Sequence, residues 1–168
     1  KELSRVAFKK NKFKVPKYLL LKKHEDEDLL YKLKKKKINF PVVIKPTNEG
    51  SSLGVYICKN KFELKKNYKK LVKNYEKILV EQYIPGKEIQ VAVMNGKSLG
   101  AIELEPQRRF YDYQAKYLKS AKTNHIMPAN IKKKYYDQVL KIAEKAHKAL
   151  KCRGVTRSDF KFFNNKFY

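Results

Sequence analysis

The sequence predicts an α+β chain of two lobes in which antiparallel sheets are flanked by helices. Short apolar runs typical of strands alternate with longer segments whose apolar residues recur at helical spacing. The pair Asn95-Gly96 lies between two apolar runs and is the strongest short hairpin signal in the chain. With 168 residues, 42% of them hydrophobic, the chain is large enough for one ordinary domain or two small lobes.

The first lobe, residues 1–76, is predicted to contain three helices and three extended segments. The helices are predicted at residues 1–11, 24–37 and 62–76, and the extended segments at residues 14–21, 40–46 and 55–58. Pro16 disfavours helix in the residue before it. The second helix begins with acidic residues and ends with four lysines, an arrangement that the helix dipole favours. The lysine run is therefore interpreted as a helix end.

The second lobe, residues 77–168, is predicted to consist of strands and one long amphipathic helix. Strands are predicted at residues 77–84, 89–94, 98–105 and 154–163, and the helix at residues 131–151. Residues 106–129 show weak periodicity, which predicts a long loop of a kind that is usually functional or disordered. The sequence stops three residues after an Asn164-Asn165 turn, so we expect a hairpin that has been cut short.

The formal net charge of +25 raises the question of nucleic-acid binding. Almost all the basic residues are lysines scattered over predicted helix faces and loops, so we interpret them as a solvated surface and expect no nucleic-acid partner. No run of about 18 apolar residues is present, and no membrane partner is expected. Cys58 and Cys152 lack the spacing of a metal site or disulfide framework, which favours the reducing cytoplasm.

Lys45 and the loop NEGSSLG form the first candidate site. A predicted strand ends near Lys45, and residues 48–54 lead directly into the next strand. Small residues let backbone N–H groups approach phosphate oxygens closely, while Ser51, Ser52 and Lys45 add hydroxyl donors and a cation. The P-loop pattern is absent. The loop is interpreted either as a flap over phosphates or as a tight hairpin with solvent-facing serines.

The string EQYIPGKE places two carboxylates on either side of a Pro-Gly turn. An adenosine site needs an apolar slot, strand backbone groups for the base and a carboxylate for the ribose hydroxyls. Tyr83 and Ile84 supply apolar surface, and Glu81 and Glu88 supply carboxylates. The alternative is a pair of surface carboxylates at strand ends.

The string FYDYQAKY places four aromatic residues and one lysine in the predicted long loop. Phe110, Tyr111, Tyr113 and Tyr117 are able to shield a site from water, and Lys116 is able to reach a phosphate. Alternatively, the aromatic side chains pin the loop to the protein, or they bind RNA together with the lysine. No other aromatic and basic platform accompanies the string, which disfavours RNA binding.

The string RGVTRSDF places Arg157 and Asp159 two residues apart on a predicted strand, so both side chains point to the same face. Such a pair is either a structural ion pair or part of a phosphate site. In a phosphate site, Arg157 would stabilise anionic oxygens and Asp159 would hold Mg²⁺ through hard oxygen ligands.

Four strings, in this order and spacing, resemble the D-alanine–D-alanine ligases. They are FPVVIKPTNEGSSLGV, VEQYIPGKEIQVAV, FYDYQAKY and CRGVTRSDF. The opening helix followed by KVPKY matches the start of that family's central domain, so the resemblance covers the whole chain. It implies the ATP-grasp fold, in which two α+β lobes clamp ATP. It also implies ATP-dependent ligation of two D-alanine molecules to D-alanyl-D-alanine for peptidoglycan synthesis.

The resemblance also implies roles for individual residues. The implied nucleotide-binding residues are Lys1, Lys45, Ser52, Glu81, Tyr83, Ile84, Glu88, Phe110 and Lys116. Ser51 and Tyr117 would link the flap to the long loop and close the site. Asp159 would bind Mg²⁺ or Mn²⁺, and Arg157 would stabilise the oxyanion that forms when the second D-alanine attacks.

The resemblance further implies that the chain is truncated at both ends. An N-terminal domain that supplies a Glu to the first D-alanine would precede Lys1, and a Glu-x-Asn metal pair would follow Tyr168. A fragment with these ends is expected to be inactive alone, whereas the complete enzyme is expected to be a cytoplasmic homodimer. Two alternatives stay open: another ATP-grasp carboxylate–amine ligase, such as a D-alanine–D-lactate ligase, and a basic RNA-binding module without ATP affinity.

Overall fold

The computed structural model describes residues 1–23, 29–106 and 123–168. Within these residues the chain divides into two compact units. The first unit consists of Lys1 and Pro16–Tyr83, and the second consists of Glu2–Val15 and Ile84–Tyr168. In the described part of the chain, no helix is both long and apolar enough to span a bilayer.

A four-stranded antiparallel sheet forms the centre of the first unit. Its strands are β1 (Tyr18–Lys22), β2 (Val42–Pro46), β3 (Tyr56–Cys58) and β4 (Lys77–Gln82), in the spatial order β1-β4-β2-β3. The boundary expected near residue 77 precedes β4, whereas the observed division follows it. The reason is that β4 pairs with both β1 and β2 and therefore belongs to the first sheet.

Two helices, α2 (Leu29–Lys35) and α3 (Lys61–Leu71), contribute to the core of the first unit. The buried side chains of this core come from one face of the sheet and from both helices: Leu21, Val42, Ile44, Ile78, Val80, Leu29, Leu33, Leu64 and Tyr68. Because successive side chains in a strand alternate between faces, Lys45 and Glu81 lie on the opposite face of the sheet.

A five-stranded antiparallel sheet forms the centre of the second unit. Its strands are β5 (Lys87–Met94), β6 (Lys97–Pro106), β7 (Thr123–Ile126), β8 (Val155–Phe163) and β9 (Lys166–Phe167), in the order β7-β6-β5-β8-β9. The predicted turn at Asn95-Gly96 is confirmed, since both residues have positive φ, at 49° and 80°. The prediction that residues 106–129 form a loop was wrong at Thr123–Ile126, because these residues form β7 and pair with β6.

The long helix α4 (Lys133–Ala149) packs against one face of the second sheet. Its buried residues Val139 and Ala143 meet the apolar side chains of β5, which include Ile89 and Val91. Helix α1 (Glu2–Lys10) was predicted for the first lobe but belongs to the second unit, where it contacts α4. The opposite sheet face bears four charged residues of β5 and β8: Glu88, Arg157, Asp159 and Lys161.

Candidate active site

Lys45 and Glu81 form an ion pair on the face of the first sheet that points away from its helices. Glu81 lies opposite Val43 in the pairing of β2 with β4, so Lys45 is its diagonal neighbour on the same face. The two side chains are only 18% and 9% exposed. An ammonium group has three donors, so Lys45 keeps hydrogen-bonding capacity for a phosphate while Glu81 holds it in place.

The loop after β2 turns sharply. Ser51 and Ser52 both adopt left-handed backbone conformations, with φ of 47° and 62°. Gly54 follows with φ of 68°, and a Cβ there would lie 2.9 Å from Cγ of Pro46. Non-glycine residues in this conformation store strain of a kind that clusters at ligand-binding loops. The loop therefore has the tightness that the flap interpretation requires.

Lys1 adds a second cation to this region of the first unit. Its Nζ donates a hydrogen bond to the backbone oxygen of Glu49 in the loop. Burial lowers the pKa of Lys1, and the neighbouring Lys45 cation lowers it further, while Glu49 and Glu81 act in the opposite direction. The first unit thus brings Lys1, Lys45 and the loop together, as the sequence resemblance implies.

Tyr75 was not identified from the sequence, yet it helps to fix the same loop. Its hydroxyl makes a hydrogen bond with the Glu49 side chain. Burial raises the pKa of Tyr75, and the carboxylate of Glu49 raises it further. A tyrosine 26 positions away in the sequence carries no local signal of this contact, since it depends on how the helix end packs.

The segment between β4 and β5 contains the predicted adenosine-binding residues Tyr83 and Ile84. The Tyr83 backbone N–H donates to the oxygen of Pro41 at 3.2 Å, and Ile84 is 7% exposed. Gly86 has φ of 100°, and a Cβ there would lie 2.2 Å from the backbone oxygen of Phe162. Only glycine allows the turn to approach β8 this closely, and the approach fixes where β5 begins.

Arg157 and Asp159 form an ion pair on β8. Arg157 Nε donates to Asp159 Oδ1 at 2.8 Å, and a second guanidinium nitrogen lies 3.3 Å from Oδ2. Their side chains are 59% and 43% exposed. The predicted placement on one face is confirmed, and the structural ion pair that the sequence left open is present. Its exposure means that it contributes little to stability and that the guanidinium is accessible to a ligand.

Glu88 lies on the same sheet face and pairs with Lys161, a residue that the sequence did not single out. Lys161 Nζ is 2.8 Å from Glu88 Oε2, and the two residues are direct partners in the pairing of β5 with β8. The available signal was the spacing of Lys161 two residues beyond Asp159, which places both on one face.

The predicted site residues fall into two sets, one in each unit. The first unit contains Lys1, Lys45, Ser51, Ser52, Glu81 and Tyr83, and the second contains Ile84, Glu88, Arg157 and Asp159. The remaining three predicted residues, Phe110, Lys116 and Tyr117, lie outside the described residues, as does most of the predicted long loop.

Asp159 is the residue predicted to bind a metal ion. Across residues 1–23, 29–106 and 123–168, no group of three or more His, Cys, Asp and Glu side chains is arranged to hold one. Mg²⁺ commonly takes one or two protein carboxylates and completes its octahedron with substrate phosphates and water. The exposed carboxylate of Asp159 is able to supply one protein ligand to such a shared site.

Known proteins similar to this chain are D-alanine ligases. A family model described as the D-ala D-ala ligase C-terminus matches residues 7–168. The D-alanine–D-alanine ligase of Pelagibacter ubique is 55% identical over 168 residues, which make up 100% of this chain and 55% of that protein. The chain therefore spans about half the length of the curated relatives it matches.

Solved structures show the same fold. The D-alanine–D-alanine ligase of Bacillus anthracis matches with a TM-score of 0.84 and 30% identity over 100% of this chain and 54% of that one. The same enzyme complexed with ATP matches with a TM-score of 0.80 and 27% identity, covering 100% and 53%. The VanG D-Ala:D-Ser ligase of Enterococcus faecalis gives 0.85 and 25%, covering 99% and 49%.

These matches confirm the predicted fold class, with antiparallel sheets and flanking helices as in the ATP-grasp D-alanine ligases. The order of the four motif strings and the geometry around Lys45 and Arg157 agree with that result. Because the family model covers nearly every residue, the chain belongs to the D-alanine–D-alanine ligase family and corresponds to its C-terminal region.

Proposed function

We propose that this chain is the ATP-binding part of an enzyme that joins two D-alanine molecules for peptidoglycan precursor synthesis. The observation that carries the proposal is the family match over residues 7–168, together with 55% identity to a D-alanine–D-alanine ligase along the whole chain. In the reaction, ATP phosphorylates the carboxylate of one D-alanine, and the amine of a second displaces phosphate. The products are D-alanyl-D-alanine, ADP and phosphate.

In the first unit, Lys1 and Lys45 bind the phosphates of ATP. The lowered pKa of Lys1 reflects burial and the repulsion of Lys45, and a polyanion bound to both ammonium groups relieves that repulsion. Glu81 keeps Lys45 in place through their shielded ion pair. Ser52 donates to a phosphate from the adjacent loop, whose left-handed residues preform its shape.

The adenosine is held by residues at the end of β4 and the start of β5. Glu81, Tyr83, Ile84 and Glu88 together hold the adenosine. Tyr83 and Ile84 contact the base through apolar surface, and Glu88 accepts hydrogen bonds from the ribose hydroxyls. The support for this assignment is that β4 carries Glu81 to the sheet face of Lys45, while Gly86 lets the connecting segment turn closely against β8.

On β8, Arg157 stabilises the negative charge that develops on the carboxyl oxygen as the amine attacks. A donor fixed in advance at a developing charge lowers the barrier more than it strengthens substrate binding. Asp159 orients the guanidinium through its bidentate contact. Asp159 would also hold Mg²⁺ or Mn²⁺, which when bound neutralises charge on the phosphates.

Three further roles rest on the sequence resemblance. Phe110 covers the base, Lys116 reaches the γ-phosphate, and Tyr117 links with Ser51 to close the site. The ATP complex of the Bacillus anthracis enzyme, which matches over the whole of this chain, supports ATP as the nucleotide.

The proposal also covers the second substrate, the cellular compartment and the oligomeric state of the enzyme. The match to a D-Ala:D-Ser ligase shows that this fold accompanies more than one second substrate, so D-alanine is assigned from the more similar Pelagibacter ubique relative. We assign the enzyme to the cytoplasm as a homodimer without nucleic-acid or membrane partners. Cys58 and Cys152 are both free thiols, which suits a reducing compartment.

Product analysis tests the proposal. The protein as its gene encodes it is incubated with ATP, Mg²⁺ and D-alanine, alone or with D-lactate or D-serine, and products are identified by mass spectrometry. We expect D-alanyl-D-alanine as the main product, with one ADP for each dipeptide. A main product containing D-lactate or D-serine would overturn the substrate assignment, and ATP consumption without any ligated product would overturn the ligase assignment.

A further inference from the structure

The side chain of Glu88 is fixed by a neighbouring strand. Glu88 is the second residue of β5, and its direct partner on β8 is Lys161. Lys161 Nζ approaches Glu88 Oε2 to 2.8 Å, and the two side chains are only 30% and 18% exposed. This is a partly shielded ion pair, so it is ordered more strongly than a typical surface pair of long side chains.

The backbone explains why these two side chains meet. Lys161 and Tyr168 exchange two backbone hydrogen bonds, Lys161 N to Tyr168 O at 3.0 Å and Tyr168 N to Lys161 O at 2.9 Å. Both polar backbone groups of Lys161 therefore point toward Tyr168 and away from β5. In antiparallel sheets, partners that do not exchange backbone hydrogen bonds have closer side chains, with Cα atoms about 4.5 Å apart. Lys161 and Glu88 form such a pair.

The start of β5 is held against β8 in a second way. Gly86 lies so close to the Phe162 oxygen that only glycine fits there. Residues 161 and 162 of β8 thus fix both the backbone before Glu88 and the Glu88 carboxylate. Fixing a glutamate side chain in advance removes the entropy cost of ordering it when a ligand binds.

We propose that Lys161 is a positioning residue that presents the Glu88 carboxylate to the ribose hydroxyls of ATP and so determines the preference for ribonucleotides. The inference rests on the proposed function, in which Glu88 binds the ribose. A carboxylate has about four lone-pair sites, so one ammonium contact leaves capacity for two hydroxyl donors. A glutamate without this partner samples several rotamers and presents its oxygens to the hydroxyls only part of the time.

The test compares the affinity for ATP with that for 2′,3′-dideoxy-ATP, measured by calorimetry in the presence of Mg²⁺. The variants are Lys161→Met, Lys161→Arg and Lys65→Met, the last removing the same charge from the exposed face of α3. We expect the wild-type preference for ATP to fall about tenfold in Lys161→Met, the equivalent of one hydrogen bond to a charged group. Lys161→Arg and Lys65→Met should retain it.

The possible results distinguish a failure of the Lys161 role from a failure of the ribose role of Glu88. A Lys161→Met protein that keeps the full preference for ATP, or that loses affinity for both nucleotides equally, overturns the positioning role. The second result would indicate a merely structural pair. If the wild-type protein shows no preference for ATP, the ribose role of Glu88 is wrong and the inference falls with it. Formation of D-alanyl-D-alanine is a separate measurement, so neither result decides the ligase assignment itself.

Discussion

Lys45 and Glu81 lie 36 positions apart in the sequence and meet as a shielded ion pair across β2 and β4. The pair places a cation at the end of a buried strand, directly before the loop of Ser51 and Ser52. Glu81 holds the Lys45 ammonium group in place but does not use all three of its N–H donors. The remaining donors are available to bind a phosphate oxygen.

Replacing Lys45 with Met is expected to weaken ATP binding by roughly 1.5–3 kcal/mol, because one charge-assisted phosphate contact is lost. Titration with a nonhydrolysable ATP analogue measures the effect. The double variant Lys45→Met/Glu81→Gln removes the shielded carboxylate that the single variant leaves without its partner. It should regain stability without regaining nucleotide affinity. Unchanged affinity in the single variant would remove Lys45 from the site.

Arg157→Ala is expected to lower kcat by about 10²–10³ with little change in the KM for ATP, because its donor acts on charge that forms during the reaction. The melting temperature should stay near that of the wild type, since the ion pair with Asp159 is largely exposed. Arg157→Lys should restore activity only in part, because the planar fork is lost. Early melting combined with normal turnover at low temperature would instead identify a structural ion pair.

Gly86→Ala is expected to destabilise the protein and weaken ATP binding together. The new Cβ would lie 2.2 Å from a backbone oxygen, so the segment before Glu88 must move away from β8. Gly96→Ala is the matched control, because Gly96 also has positive φ but nothing lies within 4 Å of its Cβ position. Gly96→Ala should lower the free energy of unfolding by only about 1–2 kcal/mol, through backbone strain, and should leave the affinity for ATP unchanged. Equal effects of the two variants on ATP affinity would contradict the role given to Gly86.

Asn60→Ala is expected to lower the free energy of unfolding by about 1 kcal/mol, because the Asn60 side chain caps α3. Its Oδ1 accepts from the Glu63 N–H at 3.0 Å, and Glu63 in turn accepts from the Lys59 N–H at 2.7 Å. Urea denaturation measures the loss. Asn74→Ala, at an exposed position after the helix, should change stability by no more than about 0.5 kcal/mol. Similar losses in both variants would argue against the cap.

Local patterns predicted the elements and the faces of this protein better than its long-range pairings. The alternation of RSD placed Arg157 and Asp159 on one face, and Asn95-Gly96 marked the hairpin, because both depend only on neighbouring residues. The pairing of β4 with β1 and β2 was not predicted, because nothing within KILVEQ indicates those partners. The short edge strand β7 was missed because its residues, TNHI, lack strand periodicity.

The candidate site shows the same difference between residues marked by local patterns and residues that depend on long-range contacts. Lys45, Glu81 and Arg157 were proposed from motif strings, in which residue type and spacing together are specific. Lys161 was missed because it is one of 41 lysines and arginines, and its contact with Glu88 arises only from the register of β5 and β8. Tyr75 was missed for a similar reason, since its contact with Glu49 depends on packing after α3.

In the proposed function, the chain binds a nucleotide and its lysines serve no nucleic acid. The most direct measurement is a calorimetric titration of the protein with a nonhydrolysable ATP analogue and Mg²⁺, alongside a titration with single-stranded RNA at several salt concentrations. We predict saturable binding of one nucleotide per chain, and only weak RNA binding that disappears as salt rises toward 0.2 M. Tight, saturable RNA binding together with no detectable nucleotide binding would contradict the ATP-binding role of the chain.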